Sequence, residues 1–266
     1  MRKPVSQTPP WLMPGAVVAG IAVLVVAFLV YRWYTTPVAP PPLNIDATQQ
    51  VVATLASVPA SELDSVGVGS ANNLFKPVSG TPLAGPTGKP VVFYFGAEYC
   101  PYCAAQRWPL IVALSRFGTF SGLKTTSSSS GDVYPNTPTF TFHGATFASQ
   151  SIEFETVETT DRNQNALETP TSAQQALVNK YDPGRTIPFV DVGNRYTSLG
   201  AMYIPDILSG MTWQEVANSL ADPTTPQAKA ILGAANLITA AICKTTGDQP
   251  ASVCSTSIQA IEKKLG

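Results

Sequence analysis

Val91-Val92-Phe93-Tyr94-Phe95-Gly96-Ala97-Glu98-Tyr99-Cys100-Pro101-Tyr102-Cys103 is the stretch from which the rest of this chain is read. The run Val91 to Phe95 has the length and the β-branched, aromatic character of a buried strand. Beyond Cys103, the segment Ala104 to Phe117 puts Leu110, Ile111, Leu114 and Phe117 on one helical face, with Pro109 expected to kink it. Two cysteines two residues apart, where a strand hands over to a helix, form a redox-active dithiol more often than anything else. Cys100 would stand at the helix N-terminus, where unpaired amides favour a thiolate, and Cys103 one turn later can close back onto it. Cys100 is therefore expected to attack and Cys103 to resolve.

Further along, Thr186-Ile187-Pro188-Phe189-Val190-Asp191-Val192 reads as a turn into a strand, Gly193-Asn194 as a hairpin turn and Arg195 to Tyr203 as the returning strand. Strand, CxxC helix, more strand and helix, then a hairpin opened by proline is an order that resembles the thioredoxin fold. There the dithiol lies beside a loop ending in a cis-proline, and Ile187-Pro188 fits that place. Any X-Pro bond has a low prior for cis, so context carries this expectation. Such a proline would leave neighbouring backbone groups free to pair with an extended substrate and would keep metal off the thiols. The distance in sequence from Cys103 to Pro188 calls for an insertion, about 121–185, as in periplasmic disulfide oxidoreductases.

A closer resemblance rests on Gly88 to Leu110, Ser121 to Phe142, Thr186 to Tyr196 and Ala241 to Cys254. These segments resemble the prokaryotic thioredoxin-like family catalogued as domain of unknown function 929. The resemblance implies a thioredoxin-like fold and membrane attachment, and it names no substrate. Cys100, Pro101, Cys103 and Pro188 match the general thioredoxin pattern. Tyr99 stands where thioredoxin has Trp, and the Pro-Tyr dipeptide is that of glutaredoxins.

Glu98 and Arg107 flank the dithiol and Arg185 precedes the proline loop, so each is a candidate for tuning a thiol pKa; solvated surface charge is the favoured reading of all three. His143, the single histidine, lies among Phe140, Phe142 and Phe147 and is expected to pack or face solvent rather than catalyse. Cys243 and Cys254 enclose a short loop and read first as a structural disulfide, with a second shuttle pair as the alternative. C-x2-C with a distant C-x10-C is not a usual zinc framework, so no metal is expected. No cofactor is expected either.

Before this body, Trp11 to Tyr31 contains no charged residue and reaches roughly 30 Å at about 1.5 Å per residue, enough to cross a bilayer core. The run is longer than a typical signal-peptide core and no clear cleavage site follows it, so an uncleaved anchor is expected. Arg2 and Lys3 against Arg32 favour a cytoplasmic N-terminus and an extracytoplasmic body at the plasma membrane. Charged residues are 12% of the 266, about half the usual share, and the net charge is −1. Nothing in that balance suggests nucleic-acid binding.

The expected organisation is an α/β protein. It has a tip and anchor (1–34), a Pro-rich linker (35–45), a helix and loop extension (46–90), a thioredoxin-like domain (91–222) and a C-terminal helical extension with the disulfide (223–266). Its expected work is thiol–disulfide exchange with secreted or membrane proteins, with a membrane redox partner. The alternative is a membrane-tethered interaction module whose CxxC is structural.

Overall fold

The computed structural model describes residues 12–35, 38–72 and 74–265, so Arg2, Lys3 and Trp11 of the anchor argument lie outside the described residues. The chain divides into two units, meeting between Pro37 and Val38. Among the described residues the first holds one helix, α1 (Leu12–Thr35), whose segment Val17–Thr35 is long and apolar enough to cross a membrane. Val18, Val23 and Leu24, on three different sides of it, are all exposed. A helix apolar on every side needs a non-aqueous surround.

The second unit opens with α2 (Ile45–Ala56) and α3 (Ala60–Val66), parted at Pro59 as its missing N–H requires. Then come β1 (Lys76–Pro77), β2 (Val91–Gly96) and α4 (Pro101–Ser115). Four short strands follow: β3 (Gly118–Ser121), β4 (Lys124–Ser127), β5 (Pro138–Thr141) and β6 (Thr146–Ser149). Next are β7 (Glu153–Glu158), α5 (Ser172–Tyr181), β8 (Phe189–Val192) and β9 (Tyr196–Leu199). The chain ends in α6 (Trp213–Ser219), α7 (Pro226–Thr246) and α8 (Thr256–Glu262). A capping box from Thr212 and Glu215 opens α6, and an equivalent one from Thr171 and Gln174 opens α5.

The main sheet runs β1-β9-β8-β2-β7. β7 is parallel to β2, and β8 and β9 form the antiparallel hairpin on its other side. Both faces of β2 are covered, which is why it is apolar throughout. Val92 and Tyr94 face the larger core with α4 and α7, while Val91 and Phe93 face a smaller one with Val178 of α5.

The expected insertion needs correcting. The segment 121–185 is not one insertion, because β7 from within it is a full partner of β2 and Val178 of α5 covers the sheet. Only β3 to β6 leave the main sheet, as two separate two-stranded ribbons. A parallel pairing across some sixty residues leaves no local spacing signal. Ser127, in a serine-rich stretch, ends β4 opposite Pro138, and Lys76, in a stretch rich in Gly and Pro, pairs with Thr197.

Pro109 lies inside α4 without ending it. A proline there frees the carbonyl four residues earlier. That carbonyl, on Ala105, accepts a 2.6 Å hydrogen bond from the Tyr203 hydroxyl.

Candidate functional site

Cys100 is the N-cap of α4: its Sγ accepts a hydrogen bond from the Cys103 N–H at 3.3 Å, as a Ser or Asp oxygen would. Pro101 takes the first helical position, where the N–H it lacks would be unpaired in any case. The sequence thus forces a sulfur, rather than an oxygen, onto the positive end of a fifteen-residue helix.

Across from it, the Ile187–Pro188 bond is cis, and the Ile187 carbonyl oxygen lies 3.9 Å from Cys100 Sγ, placed to accept from its thiol. The Pro188 carbonyl accepts the Gly200 N–H at 2.7 Å, which ties the proline loop to the end of β9. Cys100 keeps 6% of its surface exposed and Cys103 none. Both thiols are free.

Electrostatics separates them. The Cys103 thiol as donor, helped by the amides of Cys103 and Tyr102 and the charge of Arg107, holds Cys100 below the ordinary thiol range although burial opposes it. Burial pushes Cys103 well above that range, and the neighbouring Cys100 adds to the shift.

Arg107, one turn beyond Cys103, is fully buried, which corrects the expectation of a solvated charge. Its Nε donates to Glu158 Oε1 at 2.8 Å and its Nη2 to Glu158 Oε2 at 2.7 Å. Nη2 also donates to the Ala97 carbonyl at 2.9 Å. Burial works against the guanidinium charge, but Glu158 outweighs it and keeps Arg107 protonated. That charge lowers both thiol pKa values. Glu98 is buried as well, contrary to expectation, with Thr126 Oγ1 donating to its Oε2 at 3.5 Å. Arg185 is exposed, as expected of it.

The structure therefore brings Cys100, Cys103 and the Pro188 loop together, with Arg107 behind them. His143 stands apart, half exposed, its Nδ1 2.7 Å from Glu168 Oε1. Cys243 and Cys254 are bonded to each other, with Cα atoms 5.6 Å apart, joining the end of α7 to the start of α8.

Residues 74–244, well over half of the chain, match the model of a family described as a domain of unknown function (DUF929). The chain belongs to this family. The matched region holds the dithiol, the proline loop and Cys243, and it ends before Cys254. No curated protein and no solved structure matches the chain.

Two members of the site carried no signal as such. Glu158 looked like the polar end of an alternating strand, and Tyr94 like one more core aromatic. Only Gly96, a glycine closing an apolar strand, hinted that something approaches the backbone there.

Proposed function

We propose that this family member is a membrane-anchored thiol–disulfide oxidoreductase with a thioredoxin-like fold. The observation that carries the reading is the meeting of Cys100, at the N-terminus of α4, with the cis Ile187–Pro188 loop. The order β2-α4-β7-α5-β8-β9, with β2 between a parallel and an antiparallel partner, supports the fold.

In the chemistry so implied, the Cys100 thiolate attacks one sulfur of a client disulfide. The client S–S bond breaks, a mixed disulfide forms, and the second client sulfur leaves and takes a proton. Cys103 then loses its proton and attacks Cys100 Sγ, closing the internal disulfide and releasing the first client sulfur. Two electrons and two protons pass to the client, and the reverse sequence oxidises a client dithiol. The 6% exposure of Cys100 suits an extended polypeptide laid along the proline loop. The helix Val17–Thr35 would hold this body at a lipid bilayer, outside the cytoplasm if Arg2 and Lys3 outweigh Arg32.

The test is trapping in cells. Cys103→Ser should accumulate mixed disulfides through Cys100, visible on non-reducing gels and lost on reduction, while Cys100→Ser accumulates far fewer. A membrane-impermeant thiol reagent should label Cys100 in intact cells after mild reduction. If neither variant traps a partner and the purified protein exchanges with no model disulfide, the enzyme reading fails in favour of a tethered interaction module.

A further inference from the structure

Tyr94 lies on β2 with its ring edge-on to Phe142, centroids 5.1 Å apart, and the Arg107 guanidinium 5.6 Å from its ring centre. The side chain is wholly buried and its hydroxyl has no hydrogen-bond partner. An unpaired buried hydroxyl is destabilising, whereas phenylalanine would fill nearly the same volume without that cost. Such an atom calls for an explanation.

Its position supplies one. A Cβ added at Gly96 would collide with the Tyr94 hydroxyl oxygen and stand 3.1 Å from Cys103 Sγ. The hydroxyl and the sulfur thus both border the same point, which glycine leaves open. Arg107 closes the group from the helix side, with its Nη1 buried and unpartnered too.

We propose that the Tyr94 hydroxyl is the hydrogen-bond donor to the Cys103 sulfur as that thiol ionises to resolve a mixed disulfide. This rests on the oxidoreductase reading above. In the resolving step the Cys103 proton is lost, its sulfur forms a bond to Cys100 Sγ, and the Cys100–client bond breaks as the client thiolate leaves and is protonated. A thiolate formed at a site with no solvent contact is costly unless donors and positive charge meet it. Tyr94 supplies the donor and Arg107 the charge. Burial pushes the Tyr94 phenol well above its ordinary range, Arg107 opposing, so it stays protonated and keeps an O–H to donate. A carboxylate in this place would instead repel the thiolate.

The experiment follows the two thiol releases from 5,5′-dithiobis(2-nitrobenzoate) by stopped-flow absorbance. The first release reports attack by Cys100 and the second reports resolution by Cys103. In Tyr94→Phe the first phase should keep its wild-type rate while the second slows about tenfold to a hundredfold, as for a lost hydrogen bond to a charged group. The melting temperature should be unchanged or higher, since the variant removes an unpaired atom. A second phase at the wild-type rate overturns the proposal. Equal slowing of both phases does the same, because it marks a structural role. Gly96→Ala, which fills the shared point, should also slow the second phase more than the first. Absence of any first phase in the wild-type protein would overturn both this proposal and the oxidoreductase reading, and would appear before any variant is made.

Discussion

Arg107 Nη2 and Glu158 Oε2 meet at 2.7 Å with neither side chain exposed to solvent, joining α4 to the end of β7 directly behind the dithiol. Breaking a buried pair by removing one partner strands a charge and costs about 3–5 kcal/mol. Glu158→Ala should therefore lower the urea midpoint by that equivalent. The double variant Arg107→Met with Glu158→Leu should recover much of it, since apolar replacement of both partners is often neutral. Equal losses in the single and double variants would show that the pair is not what holds these elements together.

The two thiols should titrate apart. Alkylation of Cys100 by iodoacetamide should reach half its limiting rate below the ordinary thiol pKa, while Cys103 in Cys100→Ala should do so above it. The largest cause of the Cys100 shift is the Cys103 thiol, so Cys103→Ala should move the Cys100 profile to higher pH. A profile unmoved by that change would transfer the effect to the helix amides.

Asp191 offers a stability test. Burial pushes its carboxyl up to about 7, against the Asn194 N–H and Lys180, and its Oδ2 is buried without a partner. A carboxyl raised in the fold stabilises the protonated form. Its contribution is complete below the unfolded pKa near 4 and is lost as pH rises through about 7. Wild-type protein should thus lose up to about 4 kcal/mol between pH 4 and pH 8 from this group. Asp191→Asn keeps the acceptor for the Asn194 N–H, 2.8 Å from Oδ1, and should flatten that slope in pH-dependent melts.

The Cys243–Cys254 disulfide closes a short loop between α7 and α8. By constraining the unfolded chain it should contribute roughly 3 kcal/mol. Replacing both cysteines by Ser should lower the melting temperature and leave exchange activity per folded molecule unchanged. Normal stability with lost turnover would make this pair an electron relay.

Local chemistry made much of this legible. The apolar run before Cys100, the helix after it, the Ile187–Pro188 turn and the Gly193-Asn194 hairpin each declare themselves within a few residues, because strand period, helix capping and turn geometry are short-range properties. So do the capping box at Thr212 and the apolar length of α1. The short loop between Cys243 and Cys254, with the extracytoplasmic setting expected from the anchor, proposed the disulfide.

Tertiary structure alone decided the rest. Arg107 reads as a surface charge until Glu158, fifty-one positions away, meets it in the core. The Tyr94 hydroxyl acquires a neighbour only when α4 folds back over β2 and sets Cys103 beside Gly96. The membership of β7 in the main sheet depends on pairing with β2 across four intervening strands. Each of these is a contact between segments distant in the chain, and burial, which turns a charge or a hydroxyl from solvated to consequential, is a property of what packs around a residue and not of its neighbours in sequence.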